Sequence, residues 1–495
     1  MHELLTPDQM SKADALTIKG GIPGIDLMQK AGEILFAAIE KHFPEAQRIL
    51  IVAGTGNNGG DGFVLANLLL NKDCKVSVSI IGDQSKISGD AKLAFDHMSN
   101  DAELLSDPDF DEYDLIVDAI FGAGLTRDIE GHYAEFIETI NASATPVLAV
   151  DLPSGVNGKS GVISGCAVQA DVTATFFRYK PGHFLYPGRQ LCGEVFLGQI
   201  GITEDVLTEI APSTYLNAPA LWQDQYPFLT ETGHKYNRGH ALAISGGLDK
   251  SGAARLMAKA ALRIGAGLVT IACPSETMAA HAAHSDAIML TQMDCAQDLE
   301  CILGDNRINA ISVGPGLDPN HSTRDLVKLI LKSKRSVVLD AGALTAFSLK
   351  PDELFNVIKT RSAPTILTPH DGEFARLFPD LASENDKLAK TISAAQRADA
   401  TILLKGPDSV IANANGNAAI SNNAPPWLAT AGSGDVLCGM ICGLLAQGMA
   451  EFEAACAGVW FHGEAGKVAG PGLISSDLEQ ALHKVIQDIY EKGFD

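Results

Sequence analysis

RILIVAGTGNNGGDG, Arg48 to Gly62, runs an apolar stretch straight into a glycine-rich loop. A short run of Ile, Leu and Val with no polar alternation reads as a strand buried on both faces, here 49 to 53. The glycines that follow let the chain turn tightly, so that backbone N–H groups at the start of the next helix can meet an anion. Further short apolar runs recur in VSVSIIG (76–82), YDLIVDAIFG (113–122) and PVLAVDLPSG (146–155), each a helix-sized interval from the last. That rhythm predicts a parallel sheet with crossover helices. Upstream, residues 7–44 read as two helices: Leu27, Met28, Ala31, Leu35 and Ile39 recur at helical spacing after the turn GGIPG at 20–24 and cover one face of the sheet.

At 495 residues the chain exceeds one ordinary core. Its rhythm loosens over 203–238, where APSTYLNAPALWQDQYP mixes prolines with polar residues, so the boundary is placed near Tyr215, giving domains 1–214 and 215–495. A second αβ series follows in HALAISG, LVTIACP, AISVGPG, SVVLDAG, APTILTP and ATILLKG, with ALRIGAG closing a helix at glycine. The expected fold is α/β throughout, two three-layer αβα domains.

Hydrophobic residues make up 46% and charged residues 20%, a soluble globular composition. A formal charge of −23 opposes broad nucleic-acid binding, so any phosphate site must be local and built from glycine amides. The nine cysteines have no CxxC spacing; Cys438 and Cys442, four apart on a predicted helix, read as reduced core thiols. MHELLTPDQM carries no basic stretch followed by an apolar run, and no run of about eighteen apolar residues occurs. A cytoplasmic protein with small-molecule ligands, and with neither membrane nor nucleic acid as partner, is expected.

Gly54, Gly56 and Gly59 formally make G-x-G-x-x-G, and Asp83 stands where a dehydrogenase would hold a ribose hydroxyl. Yet Asn57, Asn58 and Asp61 put side-chain oxygens and amides where a plain pyrophosphate loop uses backbone N–H groups. Asp118, before FGAGLTRD, and Asp151, opening DLPSG with Ser154, fall at two further strand ends. A lone strand-end aspartate usually caps its own turn. Three such loops gather carboxylates and a hydroxyl at one sheet edge, where hard oxygens can hold a cation.

GTGNNGGDG, VDAIFGAGLTRD and AVDLPSGVNG resemble the NAD(P)H-hydrate epimerases over about residues 7–210. The resemblance implies a Rossmann-like domain that interconverts the R and S forms of NADH hydrate and NADPH hydrate. It implies a potassium ion on Asn58, Asp118 and Ser154. The hydrated dinucleotide would be held by Asn57, Asn58, Gly59, Gly60 and Asp61, by Gly122, Ala123, Gly124, Leu125, Thr126, Arg127 and Asp128, and by Asp151. Asp151 is the candidate acid/base. Lys180, in FFRYKPGH, is a second candidate catalytic residue, or else a surface lysine before a Pro-Gly turn.

Near the far end stands TAGSGDVLCG, Thr430 to Gly439. Amides of Gly432, Ser433 and Gly434 can converge on an anion at a helix N-terminus, and Asp435 can act as a base there. LLKGPDS (403–409) supplies a second phosphate-type segment upstream. With SGGLDKSGAARLMAKAALRIGAGLVTIACP from Ser245, VGPGL, LDAGAL and TPHDGEF, this set resembles the ADP-dependent NAD(P)H-hydrate dehydratases of ribokinase-like fold, over about 225–490. The chain as a whole resembles the bifunctional NAD(P)H-hydrate repair family, epimerase first.

That implies ADP as co-substrate, with Mg2+, and release of AMP and phosphate. Lys405, Gly406, Pro407, Asp408, Ser409, Ala429, Thr430, Ala431, Gly432, Ser433 and Gly434 would hold ADP. Gly252, Ala253, Gly316, His370 and Asp435 would line the hydrate site, with Asp435 catalytic. Ser409 replaces a usual threonine; Gly342 and Thr345 replace a more frequent aspartate and asparagine, so Asp340 receives no role. A homo-oligomer is compatible with the family. The rival readings are a ribokinase-like small-molecule kinase and a non-catalytic N-terminal ligand-binding module.

Overall fold

The computed structural model describes residues 2–125, 127–229, 233–284 and 286–494. They separate into two compact units, Glu3–Thr214 and Tyr215–Asp495, with His2 belonging to the second. The first is built on β1 (Arg48–Ala53), β2 (Lys75–Ile80), β3 (Glu103–Leu105), β4 (Leu115–Ala119), β5 (Val147–Val150), β6 (Val172–Phe176) and β7 (Glu194–Gly198). Their spatial order is β3-β2-β1-β4-β5-β6-β7, every pair parallel. Strand order reverses at β1 and β4, which opens a crevice beyond their carboxyl ends.

The apolar run is dictated by burial on both sides: Ile49, Ile51 and Ala53 join one core and Leu50 and Val52 the other. Alternation at period two thus feeds both layers of helices. Helix α1 (Pro7–Lys19) starts at a capping box in which Thr6 and Gln9 satisfy each other's N–H groups. Helix α2 (Gly24–His42) buries Leu27, Met28, Ala31, Leu35, Ala38 and Ile39, as its spacing predicts. Helix α3 (Asn57–Leu70) follows β1 with no side-chain cap, leaving its first amides open toward the crevice. A Cβ on Gly59, in its first turn, would overlap the Gly54 carbonyl oxygen. Gly59→Ala is therefore expected to destabilise the protein by about 2–3 kcal/mol, read from the urea midpoint of its first unfolding transition; an unchanged midpoint would refute this packing.

The second unit holds β8 (Thr214–Leu216), β9 (His240–Ile244), β10 (Leu268–Cys273), β11 (Met289–Gln292), β12 (Ala310–Val313), β13 (Ser336–Leu339), β14 (Thr365–Leu367), β15 (Thr401–Leu404), β16 (Val410–Ala412) and β17 (Ala418–Ile420). The order is β11-β10-β9-β12-β13-β14-β15-β16-β17-β8, with the β15–β16 and β16–β17 pairs antiparallel and β11 through β15 parallel. Both units are α/β layers built on a largely parallel sheet.

Two helices at this sheet position the chemistry, Ser251–Arg263 and Ser433–Ala446. Gly439 lies against the Met257 backbone, and a Cβ on Gly443 would come 2.6 Å from the Ala261 carbonyl oxygen. The contacts advance together along both chains, so the helices are parallel and nearly touch by backbone. Their N-termini open on the same side.

Candidate active sites

In the first unit a cleft of about 610 Å³ opens at the β1/β4 switch point, lined by Asn57, Asn58, Asp61, Gly122, Asp151 and Lys180 among others. Asp151 follows β5 in a left-handed conformation, φ +65°, that a residue with a Cβ adopts only when its surroundings impose it. Lys180, past β6, is buried and its Nζ donates to Asp151 Oδ1 at 2.5 Å and to Thr175 Oγ1 at 2.8 Å. Thr175 Oγ1 in turn donates to Asp151 Oδ1 at 2.8 Å, and the Ala123 N–H reaches Oδ2 at 3.4 Å. Burial pushes the Asp151 carboxyl up, but the Lys180 charge and hydrogen bond pull it further down, below the ordinary carboxylate value. Lys180 is therefore a buried partner of Asp151, not a surface residue.

Two more carboxyls share that cleft. Asp14, on α1, is raised to about 6 by burial, with Lys180 opposing and Asp151 adding. Asp61 is raised well above the ordinary value by burial, then by Asp151 and Asp14. Three carboxyl groups thus surround one ammonium.

Beneath the cleft Asp118 is fully buried. It accepts the Ser154 N–H at 2.7 Å and the Ser154 hydroxyl at 2.6 Å, and burial raises it to about 6 against those bonds. The Phe121 N–H donates to Ser154 Oγ at 2.9 Å. The next residue, Gly122, faces Asn58, whose Oδ1 a Cβ there would approach to 2.8 Å and whose Nδ2 is buried without a partner. The Phe121–Gly122 turn therefore links Asn58 to the Asp118–Ser154 pair. Among the described residues no cluster of three His, Cys, Asp or Glu side chains forms a metal site. An amide oxygen, a hydroxyl and one carboxylate are hard donors, unlike the thiolate and imidazole sets that hold zinc or copper.

In the second unit, loops at the carboxyl ends of the parallel strands meet the two helix N-termini. Asp340, after β13, is buried and its Oδ1 accepts Lys405 Nζ at 2.6 Å. Gly434 lies beside both, its Cβ direction 3.6 Å from Lys405 Nζ and 3.8 Å from Asp340 Oδ2. Asp435 stands in the first turn of Ser433–Ala446, where burial and the Asp340 charge raise its carboxyl to about 6 against Lys405. Gly432, φ +83°, turns the chain into this helix and touches Leu256 and Ser475; Ser475 Oγ donates to the Ala431 carbonyl. The Ser433 hydroxyl is 3.0 Å from Nε2 of buried His462, whose imidazole burial pushes down to about 4.

The Lys405–Ser409 turn closes on itself, Ser409 Oγ accepting the Gly406 N–H at 3.1 Å and donating to the Gly406 carbonyl at 2.8 Å. A Ser409 hydroxyl thus does what a threonine hydroxyl would. Asp408, behind Pro407, pairs with Lys387 at 2.6 Å. Gly316, φ +78°, packs near Ala253, and the Cβ direction of Gly252 meets only the Arg255 guanidinium, at 3.8 Å.

Residues 241–488 match the family described as NAD(P)H-hydrate dehydratase, and residues 24–182 the family described as YjeF-related protein N-terminus. The bifunctional NAD(P)H-hydrate repair enzyme of Coxiella burnetii is 32% identical over 97% of this chain and 98% of its own. That of Moorella thermoacetica is 35% identical over 99% and 97%. The chain belongs to this repair-enzyme family. Among solved structures, an ADP/ATP-dependent NAD(P)H-hydrate dehydratase from Bacillus subtilis, co-crystallised with ATP and Mg2+, is 27% identical, covers 54% of this chain and 94% of its own, and superposes with a TM-score of 0.46.

Within this repair-enzyme chain, not every expected site residue faces its cleft. Asn57, Asn58, Asp61, Gly122, Ala123, Gly124, Leu125, Arg127, Asp151 and Lys180 line the first; Gly59 and Gly60 are buried against Gly54 and Met28, and Asp128 is exposed and does not line it. Thr126 lies outside the described residues. In the second unit His370 is 55% exposed and caps helix Asp371–Leu377, accepting the Gly372 N–H at 3.0 Å. Sequence reasoning passed over Asp14, Thr175, His183 and His462, and gave Asp340 no role. Asp14 sits on a helix that reads only as a cover for the sheet, and the others act through partners far along the chain.

Proposed function

We propose that the first unit interconverts the R and S hydrates of NADH and NADPH, and that the second dehydrates the S form with ADP as phosphoryl donor, releasing AMP and phosphate and restoring NAD(P)H. The observation that carries this reading is a separate acid/base centre in each unit, Asp151 with Lys180 and Asp435 beside Lys405–Asp340, at strand ends that form a cleft and a helix N-terminus. Inversion at the hydroxyl-bearing ring carbon needs proton traffic at that centre, which a carboxylate braced by an ammonium supplies.

Hydroxide is a poor leaving group. In the second unit Asp435 takes the proton of the ring hydroxyl as its oxygen bonds to the transferred phosphoryl group, while amides of Gly432, Ser433 and Gly434 face the charge. The phosphorylated oxygen then departs with the ring nitrogen's electron push, and loss of a ring proton restores the double bond. Lys405 to Ser409 and Ala429 to Gly434 would hold the nucleotide, and Mg2+ would enter with it. Asn58, Asp118, Ser154 and the Phe121 carbonyl would hold a potassium ion, which supplies positive charge near the hydrated dinucleotide's phosphates. All nine cysteines are free, which suits a reducing, cytoplasmic setting.

The test is absorbance recovery at the dihydronicotinamide band when the protein meets mixed R and S NADH hydrate with ADP, ATP or no nucleotide. Full recovery with ADP is expected. Recovery limited to the S fraction would remove the epimerase; replacing K+ by tetramethylammonium should slow only the R fraction. A phosphorylated product in place of NADH would favour a kinase.

A further inference from the structure

Resting on the reading of Asp151 and Lys180 as the epimerase centre, we propose that His183 is the positioning residue that holds the Asp151 backbone and is itself steadied by the Lys180 N–H. Its ring bridges the two backbones. The Lys180 N–H donates to His183 Nδ1 at 2.9 Å, and His183 Nε2 lies 2.8 Å from the Asp151 carbonyl oxygen. An amide N–H can only donate, so Nδ1 is the bare nitrogen; a carbonyl can only accept, so Nε2 carries the proton. Both bonds demand the same neutral tautomer, and a protonated ring would satisfy only one.

The tie matters because of what it holds. Asp151 is in the left-handed region, with its N–H donated to the Ala174 carbonyl on β6 at 2.7 Å. The remaining freedom of its peptide lies in the carbonyl, and that is the group His183 captures. At its other end the imidazole is anchored by the Lys180 N–H, at the start of the Pro181–His183 turn. His183 itself is 1% exposed, in the 3-10 turn Pro181–His183, with Tyr179 and Phe184 edge-on to its ring. A Cβ on Gly182 would come 2.5 Å from the Asn157 carbonyl oxygen, so the turn is pressed onto the loop after β5. His183 does not line the cleft; it acts through Asp151.

Two substitutions separate the two bonds. In His183→Gln the side-chain amide reaches as far as Nε2 and still donates to the Asp151 carbonyl. In His183→Asn it reaches only to the level of Nδ1, keeps the Lys180 bond and releases Asp151. Epimerisation, read as recovery of the R hydrate under excess ADP, is expected to fall about 100-fold in kcat for His183→Asn with KM within about threefold, and to stay within about fivefold of wild type for His183→Gln. Imidazole 15N shifts of the labelled wild-type protein should report a bare Nδ1 and a protonated Nε2 from pH 8 to 5, a readout that needs no variant to fold. Equal loss in both variants, wild-type kcat in His183→Asn, or the opposite tautomer would overturn the positioning role. A wild-type protein without epimerase activity would overturn the proposed function instead.

Discussion

Asp435→Asn is expected to lower ADP-dependent dehydration about 1000-fold or more, to leave epimerisation at the wild-type rate, and to make the second unit more stable. The change keeps side-chain volume and removes only the charge and basicity. Asp435 is part-buried beside Asp340, and its carboxyl is raised to about 6. A carboxyl raised in the folded state binds its proton more tightly there than in the unfolded chain. Stability is therefore lost as pH climbs from about 4 to about 6, and at neutral pH the ionised group destabilises the unit by about 1–3 kcal/mol. The amide escapes that penalty, so thermal unfolding at pH 7.5 should move up while activity disappears. The wild-type dehydration rate should fall on the acid side below about pH 6, where the base takes up its proton. An inactive variant with a lowered unfolding temperature would mean damage to the fold, and an active one would remove Asp435 as the base.

Lys180→Met should abolish epimerisation and weaken the first unit together. Methionine fills much of the same space, but Asp151, Asp14 and Asp61 are left around a cavity wall with no cation among them. Removing one member of a buried ion pair typically costs about 3–5 kcal/mol, because the remaining charge has neither water nor partner. The loss has a definite pH dependence. Asp151 is held below its ordinary value, so the stability it contributes is present above the unfolded value of about 4 and vanishes as pH falls through the folded one. In the variant that contribution disappears and the carboxyls take up protons more readily. The deficit against wild type should be largest at neutral pH and shrink on acidification. Asp151→Asn removes the charge without stranding it as severely, and should lose about 100-fold or more in R-hydrate recovery with a smaller fall in unfolding temperature. S-hydrate dehydration should survive both changes; its loss in a folded Lys180→Met protein would defeat the assignment of separate centres.

The strands with continuous apolar runs, β1, β4 and β5 and most of β9 to β15, were legible because burial on both faces leaves no room for polar alternation; β2 alternates valine with the buried Ser77 and Ser79 and was legible from its valines. β6, VTATF, hides its pattern behind two threonines that point inward and hydrogen-bond, one of them to Asp151. β3, β7 and β11 lie at or beside sheet edges and are partly exposed, and β16 and β17 are short hairpin strands. Glycine loops and strand-end aspartates announced the cleft of the first unit and the helix N-terminus of the second. What they did not announce were the pairings: Lys180 stood between a catalytic and a surface reading until Asp151, 29 positions away, was seen against it, and Asp340 had no role until Lys405, 65 positions on, closed the pair. Local pattern records backbone shape and burial. It carries no trace of which distant side chain completes an ion pair.

The backbone contact of Gly439 and Gly443 with Met257 and Ala261 works like the pivot of a pair of tongs. At 1.5 Å per residue the pivot at Gly443 sits about 15 Å below Ser433, and the jaws are the N-termini of Ser251–Arg263 and Ser433–Ala446. Any side chain at the pivot spreads the handles and the jaws by comparable amounts. The gap into which nucleotide phosphates would be gripped is thus gauged by the absence of a methyl group far from them. In such an arrangement the first symptom of a pivot substitution would be a weaker grip on nucleotide, felt before the sheet or its loops had lost any of their own order.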